Sequence, residues 1–263
     1  MTWKPIAIGL LLAGCPATIG GGNGGGGVDS GNGSSIDSGG SSGGNDSSVS
    51  QNDAATNAAC PNDRKIFLEF NGVTLQQAAT SNAATNQASW LNNGTSQVPM
   101  WRSGSGTRAA DIASVVAGVK TRLGTSPVEV VTTKPLAGSY VMIVFGGQST
   151  GNGGTVGTIY GGGTNDHDCG DAVKNDVGWV ADGFNLSFTA DLGVGAIGWG
   201  LGLNGTNDPN GCMCNWANNC QSATGACALS ASIASTTSAS PATTCPNQNP
   251  QNEIAAFSTK FCQ

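Results

Sequence analysis

The chain has 263 residues, of which 10 are basic and 16 acidic, for a formal net charge of −6. So thin and acidic a surface argues against nucleic acid and against anionic lipid patches as partners. With 42 glycines and nine cysteines, the chain is expected to hold together by something other than ion pairs.

Lys4 supplies one early positive charge, and residues 6–12 form a short apolar run. That run is far below the roughly 20 residues a membrane-spanning helix needs and fits the hydrophobic region of a signal peptide. Leu12-Ala13-Gly14-Cys15 resembles a bacterial lipobox, which is cut before a cysteine that becomes lipidated. The expectation is therefore a lipoprotein signal peptide over residues 1–14 and membrane attachment through Cys15. The alternative is an ordinary secretory signal with a chance cysteine. One acyl chain binds membranes marginally, but bacterial lipoproteins resemble one another in carrying two or three. Pro16 rather than Asp follows the cysteine, which by resemblance to Gram-negative lipoproteins implies the outer membrane.

Residues 15–59 carry this cysteine and then little but Gly, Ser, Asn and Asp. Such a segment cannot bury enough apolar surface to offset the entropy of ordering. It reads as a disordered tether with an end-to-end distance of about 35–40 Å. Residues 60–263 are long enough for one domain with its own core.

Within that domain, residues 66–70 alternate and are bounded by Asn71-Gly72, which predicts a strand. Residues 74–106 are polar, contain Trp90 and Trp101, and read as a long excursion. Ile112, Val115, Val116, Val119 and Leu123 have the spacing of one helical face. They predict a helix over 107–123, with Thr107 to cap it and Gly124 to end it. Residues 128–133 and 140–145 are β-branched and apolar and predict a strand pair across Lys134-Pro135-Leu136-Ala137-Gly138. Residues 177–180 predict another strand.

Setting Cys15 aside leaves Cys60, Cys169, Cys212, Cys214, Cys220, Cys227, Cys245 and Cys262. An even set in an exported chain predicts disulfides, whose pairing is open among 105 possibilities. From Cys212 onward they surround a polar stretch over 221–252 with little apolar content, so bridges are expected to do there what a core cannot. The competing reading is a zinc site from Cys212, Cys214 and the only histidine, His167. Asp166-His167-Asp168, with Asp171 nearby, also places a histidine between carboxylates that could join Ser187 or Ser149 in a hydrolase triad. No G-x-S-x-G marks a nucleophile. The glycine run over 146–163 lacks the G-K-[ST] of a phosphate loop. Residues 204–211 hold one acid, Asp208, and read as a turn rather than a calcium loop.

The stretch from Gly195 to Gly205 reads GAIGWGLGLNG and can be laid over H-E-x-x-H-x-x-G-x-x-H, the zinc signature of the metzincin peptidases. Gly202 falls on the glycine and Leu203 follows it. Gly195, Trp199 and Gly205 fall where the three histidines belong, and Ala196 where the general-base glutamate belongs. Met213 resembles the family's Met-turn residue. The strings IFLEFNGV, PVEVVTTKP, YVMIVFGG and DCG also resemble a group of exported, predicted zinc peptidases common in myxobacteria. The order of elements resembles that of the metzincin-like catalytic domain, over roughly residues 66–216.

The resemblance implies an α+β fold with metzincin-like architecture. It implies a twisted mixed sheet, a long helix and a degenerate active-site helix over residues 187–203; the cysteines from Cys212 onward add the expectation of a disulfide-rich C-terminal part. It does not carry over the activity. Zinc is held by imidazoles and activates water beside a base, whereas glycine and alanine have no such groups and indole is a donor only. No catalytic residue, metal or other cofactor is therefore expected. The chain reads as a non-catalytic, surface-tethered pseudoenzyme with a peptide or protein ligand. The alternatives are an active hydrolase using other residues, His167 foremost, and a plain envelope lipoprotein. For the segment itself, the alternative is a glycine-rich apolar stretch that never was a zinc helix.

Overall fold

The computed structural model describes residues 64–91, 94–147, 163–214, 225–235 and 244–262. All belong to one unit, Asn52–Gln263. The signal peptide, Cys15, the tether, Cys60, Ser149, Cys220 and the glycine run beyond Gly147 lie outside the described residues.

The fold is α+β. The elements are β1 (Lys65–Glu69), β2 (Val73–Gln77), a 3-10 turn at Ala83–Thr85, β3 (Gln87–Ala88), β4 (Thr95–Val98) and α1 (Arg108–Leu123). There follow β5 (Val130–Val131), β6 (Tyr140–Phe145), β7 (Gly163–Thr164), β8 (Val177–Val180), α2 (Leu186–Gly200) and α3 (Glu253–Lys260). The main sheet has the order β5-β1-β6-β8-β7. Its pairings are parallel except for β7, which runs antiparallel to β8 at the edge. The sheet is therefore mixed, as expected.

Every residue of β6 and β8 is buried, as strands covered on both faces require. The two-residue period of a strand sorts their side chains. Ile66, Leu68, Val141, Ile143, Phe145 and Val180 face a core shared with α1, α2 and α3. Phe67, Tyr140, Met142, Val144, Val177 and Trp179 face a second core, closed by Leu75 and Val98 of the smaller sheet β3-β2-β4.

Three expectations need correction. The two strands around Lys134-Pro135 do not pair with each other. Both are parallel partners of β1, one on each side, with Ile66 opposite Val130 and Val141. The stretch over 74–106 carries the strands of the smaller sheet, masked in sequence because strands such as β4 bury alternate residues and expose Thr and Gln between them. Thr107 stands at the N-cap of α1 without capping it by its side chain. Its hydroxyl donates instead to Asp111 at 2.9 Å.

α1 and α2 pack closely. A Cβ at Gly118 would lie 2.9 Å from the Ala190 methyl group. Arg122 of α1 donates from Nε to Asp191 and from Nη2 to the Ser187 carbonyl and hydroxyl, both at 2.9 Å. Asn185 caps α2, its side chain accepting from the Phe188 amide at 2.9 Å. The helix ends at Gly200, three residues before the expected end, because Gly202 turns the chain with φ +78°. α3 was not expected. Asn252 caps it, and Phe257 and Phe261 bury its apolar side in the first core.

Candidate functional site

The C-terminal end of α2 is the place where the chain's chemistry converges. Three segments close on it: 165–176 between β7 and β8, 201–214 after the helix, and 244–251 before α3. The glycines of α2 make this closure possible. A Cβ at Gly195 would lie 2.9 Å from the Cys212 carbonyl oxygen. One at Gly198 would overlap the Met213 sulfur, one at Gly200 the Asn165 amide, and one at Gly202 the Asp168 carbonyl. The glycines that weaken the helix by about 1 kcal/mol each thus admit backbone and side chains that larger residues would exclude.

Trp199 and Gly202 meet the 165–169 segment here, and Met213 lies under Gly198. The indole of Trp199 is stacked on the imidazole of His167, with ring centroids 4.0 Å apart. Ala196 is buried in the first core, and its carbonyl accepts from Asn165 Nδ2 at 3.1 Å. Gly205 is buried. The zinc implied by the resemblance has no donor set among these residues. Gly195 abuts a carbonyl, Ala196 is packed, and Trp199 is occupied by the histidine ring.

His167 Nε2 lies 3.1 Å from the Leu203 carbonyl and 3.4 Å from Cys245 Sγ. Burial holds its pKa below the ordinary value, with the Leu203 carbonyl and Asp168 pulling back upward. The neighbouring carboxylates are engaged elsewhere. Asp166 accepts from the Ser81 and Ser89 hydroxyls, and Asp168 accepts from the Val173 amide at 2.6 Å. Ser187 sits in the first turn of α2, bound by Arg122. The structure thus does not assemble the triad suggested by Asp166-His167-Asp168 and Ser187.

Two disulfides are described, Cys169–Cys245 and Cys212–Cys227. Cys214 and Cys262 are disulfide-bonded as well. The zinc reading through Cys212, Cys214 and His167 is therefore corrected. Both cysteines are spent in bridges, and His167 stands beside a different one. Cys245 is held at both backbone atoms by Asn204, which accepts from its amide at 2.7 Å and donates to its carbonyl at 2.9 Å. Gln251 holds the Asn204 backbone in turn, at 2.9 Å in both directions. Asp208 accepts from the Asn210 amide at 2.9 Å, the turn expected there.

Sequence reasoning missed the ionic cluster beside this corner. Arg64, buried just before β1, donates to Asp171 at 2.7 Å, to Asp176 at 3.1 Å and to the Lys174 carbonyl at 2.7 Å. Its guanidinium lies over the Phe261 ring at 5.3 Å. Lys174 adds a second cation to Asp171 at 2.9 Å. Burial pushes Asp176 up to about 8. Arg64 opposes this, but makes its shorter contact with Asp171, and Asp171, Asp168 and Asp166 add repulsion. The available signal was the acidic run over 166–176 in a chain otherwise poor in charge.

Compared with known proteins, the chain matches no family model, no curated protein and no solved structure.

Proposed function

We propose that this chain is a surface-tethered bacterial lipoprotein whose folded part is a metzincin-like domain without catalytic machinery, serving to bind a peptide or protein. The observation that carries the reading is the topology. α1 lies between β1 and β5, β7 forms an antiparallel edge on an otherwise parallel sheet, and α2 follows β8. The succession β1, α1, β5, β6, short strands and α2 agrees with the order implied by the resemblance, with β2, β3 and β4 inserted before α1. The turn at Gly202 and the packing of Met213 under Gly198 support it further.

The residues at the signature positions argue for binding rather than hydrolysis, since none supplies a metal ligand or a base. Among the described residues β7 lies at an edge of the main sheet, and an edge strand can take an extended peptide through backbone hydrogen bonds. Lipid attachment rests on Leu12-Ala13-Gly14-Cys15, and its placement in the outer membrane on Pro16 after the cysteine.

The test is elemental analysis of the oxidised protein, paired with a peptidase assay with and without chelator. No stoichiometric zinc and no chelator-sensitive cleavage are expected, and finding both together overturns the reading. Peptides enriched from a displayed library should slow hydrogen exchange in β7. Enrichment without protection at β7 would remove the edge strand from the proposal.

A further inference from the structure

Cys169, Cys245 and His167 bring two sulfurs and an imidazole nitrogen within 4.8 Å of one another, the only such group of three found among the described residues. As a disulfide, the two sulfurs are poor ligands. As thiolates, joined by a neutral imidazole, they are the donor set of zinc-type ions. We propose that reduction of the Cys169–Cys245 bridge converts this corner into a binding site for a thiophilic divalent cation, with both thiolates and His167 Nδ1 as ligands.

The imidazole is already oriented, whereas Cys245 Sγ, 3.4 Å from Nε2 and 3.9 Å from Nδ1, must rotate about its side-chain bond towards Nδ1 once the bridge opens. The Leu203 carbonyl, 3.1 Å from Nε2, can only accept, so Nε2 carries the proton and Nδ1 presents its lone pair. A carbonyl behind a ligating imidazole is the usual way its tautomer and direction are set. The Trp199 face fixes the ring plane. Nδ1 lies 3.9 Å from Cys245 Sγ. Tetrahedral zinc, with bonds of about 2.3 Å to sulfur and about 2.0 Å to nitrogen, separates two such ligands by about 3.5 Å. Cys245 is clamped through its backbone by Asn204. Cys169 is the movable partner, exposed on a turn before Gly170 at φ +126°.

Access also selects this bridge. Among the described cysteines Cys169 alone is exposed; Cys214 and Cys262 are half-buried, and Cys212 and Cys227 are buried. A dithiol reductant supplies the two electrons. Its thiolate attacks Cys169 Sγ and breaks the bond to Cys245, which leaves as a thiolate. The reductant's second thiol then displaces Cys169 and closes a cyclic disulfide. Metal binding to the thiols releases the protons they hold.

The experiment treats the full chain with limiting dithiothreitol and maps the freed thiols by alkylation and peptide mass analysis. After removal of the reductant, the protein is titrated with Co²⁺, read by thiolate-to-cobalt absorption and native mass spectrometry. The expected result is one ion per chain, protection of Cys169 and Cys245 from alkylation, and no binding by the oxidised protein. His167→Ala, whose fold is checked in the oxidised state by circular dichroism, should weaken binding at least tenfold. A Cys212→Ser/Cys227→Ser variant should bind as the parent does. Equal binding by oxidised protein, protection of other cysteines, undiminished binding by His167→Ala, or no binding after Cys169 and Cys245 are freed would each overturn the proposal.

Discussion

Gly202 stands at φ +78°, and a Cβ there would run into the Asp168 carbonyl. Gly202→Ala therefore combines a strained backbone with a clash and should cost about 2–3 kcal/mol. Urea denaturation checks this against Gly94→Ala, where nothing lies within 4 Å and the change should stay within about 0.5 kcal/mol. His167 and Asp176, two of the shifted groups at this corner, act in opposite directions. His167 is held below its ordinary 6.5 by burial. The unfolded imidazole therefore takes up a proton first as pH falls. Its stabilising share is complete above pH 6.5 and lost as pH drops towards the lower folded value. Asp176 is raised to about 8, so the folded state holds a proton that the unfolded state has released. Its share is complete below the ordinary 3.8 and lost as pH rises through about 8. Denaturation midpoints between pH 4 and pH 9 should show His167→Gln flattening the acid limb and Asp176→Asn the alkaline one. A parent-like pH profile in either variant would show that its group does not titrate as assigned.

A largely buried ion pair ties helices α1 and α2 together beside their apolar packing. Arg122 and Asp191 are both largely buried, and Asp191 also accepts the Cys227 amide at 3.0 Å. The carboxylate thus couples α1, α2 and the bridged segment after Gly225. Removing one partner leaves an uncompensated charge, so Asp191→Ala should cost about 3–5 kcal/mol. Replacing the pair together by Arg122→Met and Asp191→Leu should cost much less than the single change predicts. The bridges act over different spans. Cys212–Cys227 closes 15 residues and Cys169–Cys245 closes 76. On the loop-entropy model the longer is worth more, with each removal costing about 2–5 kcal/mol. Chemical unfolding of the two double-serine variants tests the order.

No helix among the described residues is long and apolar enough to cross a membrane; the proposed attachment rests on the Leu12-Ala13-Gly14-Cys15 motif. Mass spectrometry of membrane-extracted protein should find a chain beginning at an acylated Cys15, and an unmodified thiol there would end that reading. Thiol counting under denaturing conditions should find none free in exported protein. The described cysteines, all bonded, agree with that expectation.

What the residues alone determined are the features with a local cause. The period of Ile112, Val115, Val119 and Leu123 specifies α1, the apolar run over 140–145 specifies β6, and the even cysteine set specifies bridges. The helix at 187–203 was expected only through the resemblance of Gly195–Gly205 to a zinc signature, since its glycines by themselves disfavour a helix. The tertiary structure decided what depends on distant partners. Strands 130–131 and 140–145 read as neighbours because they are adjacent in sequence, yet the parallel sheet inserts β1 between them. Cys169 finds Cys245 across 76 residues, a choice no spacing rule makes. His167 is placed against Trp199, Leu203 and Cys245 rather than Asp168 or Ser187 by packing around glycines whose missing side chains leave no signature of what will occupy the space. Local pattern encodes which face of an element is apolar, and only the assembled chain encodes which element that face will meet.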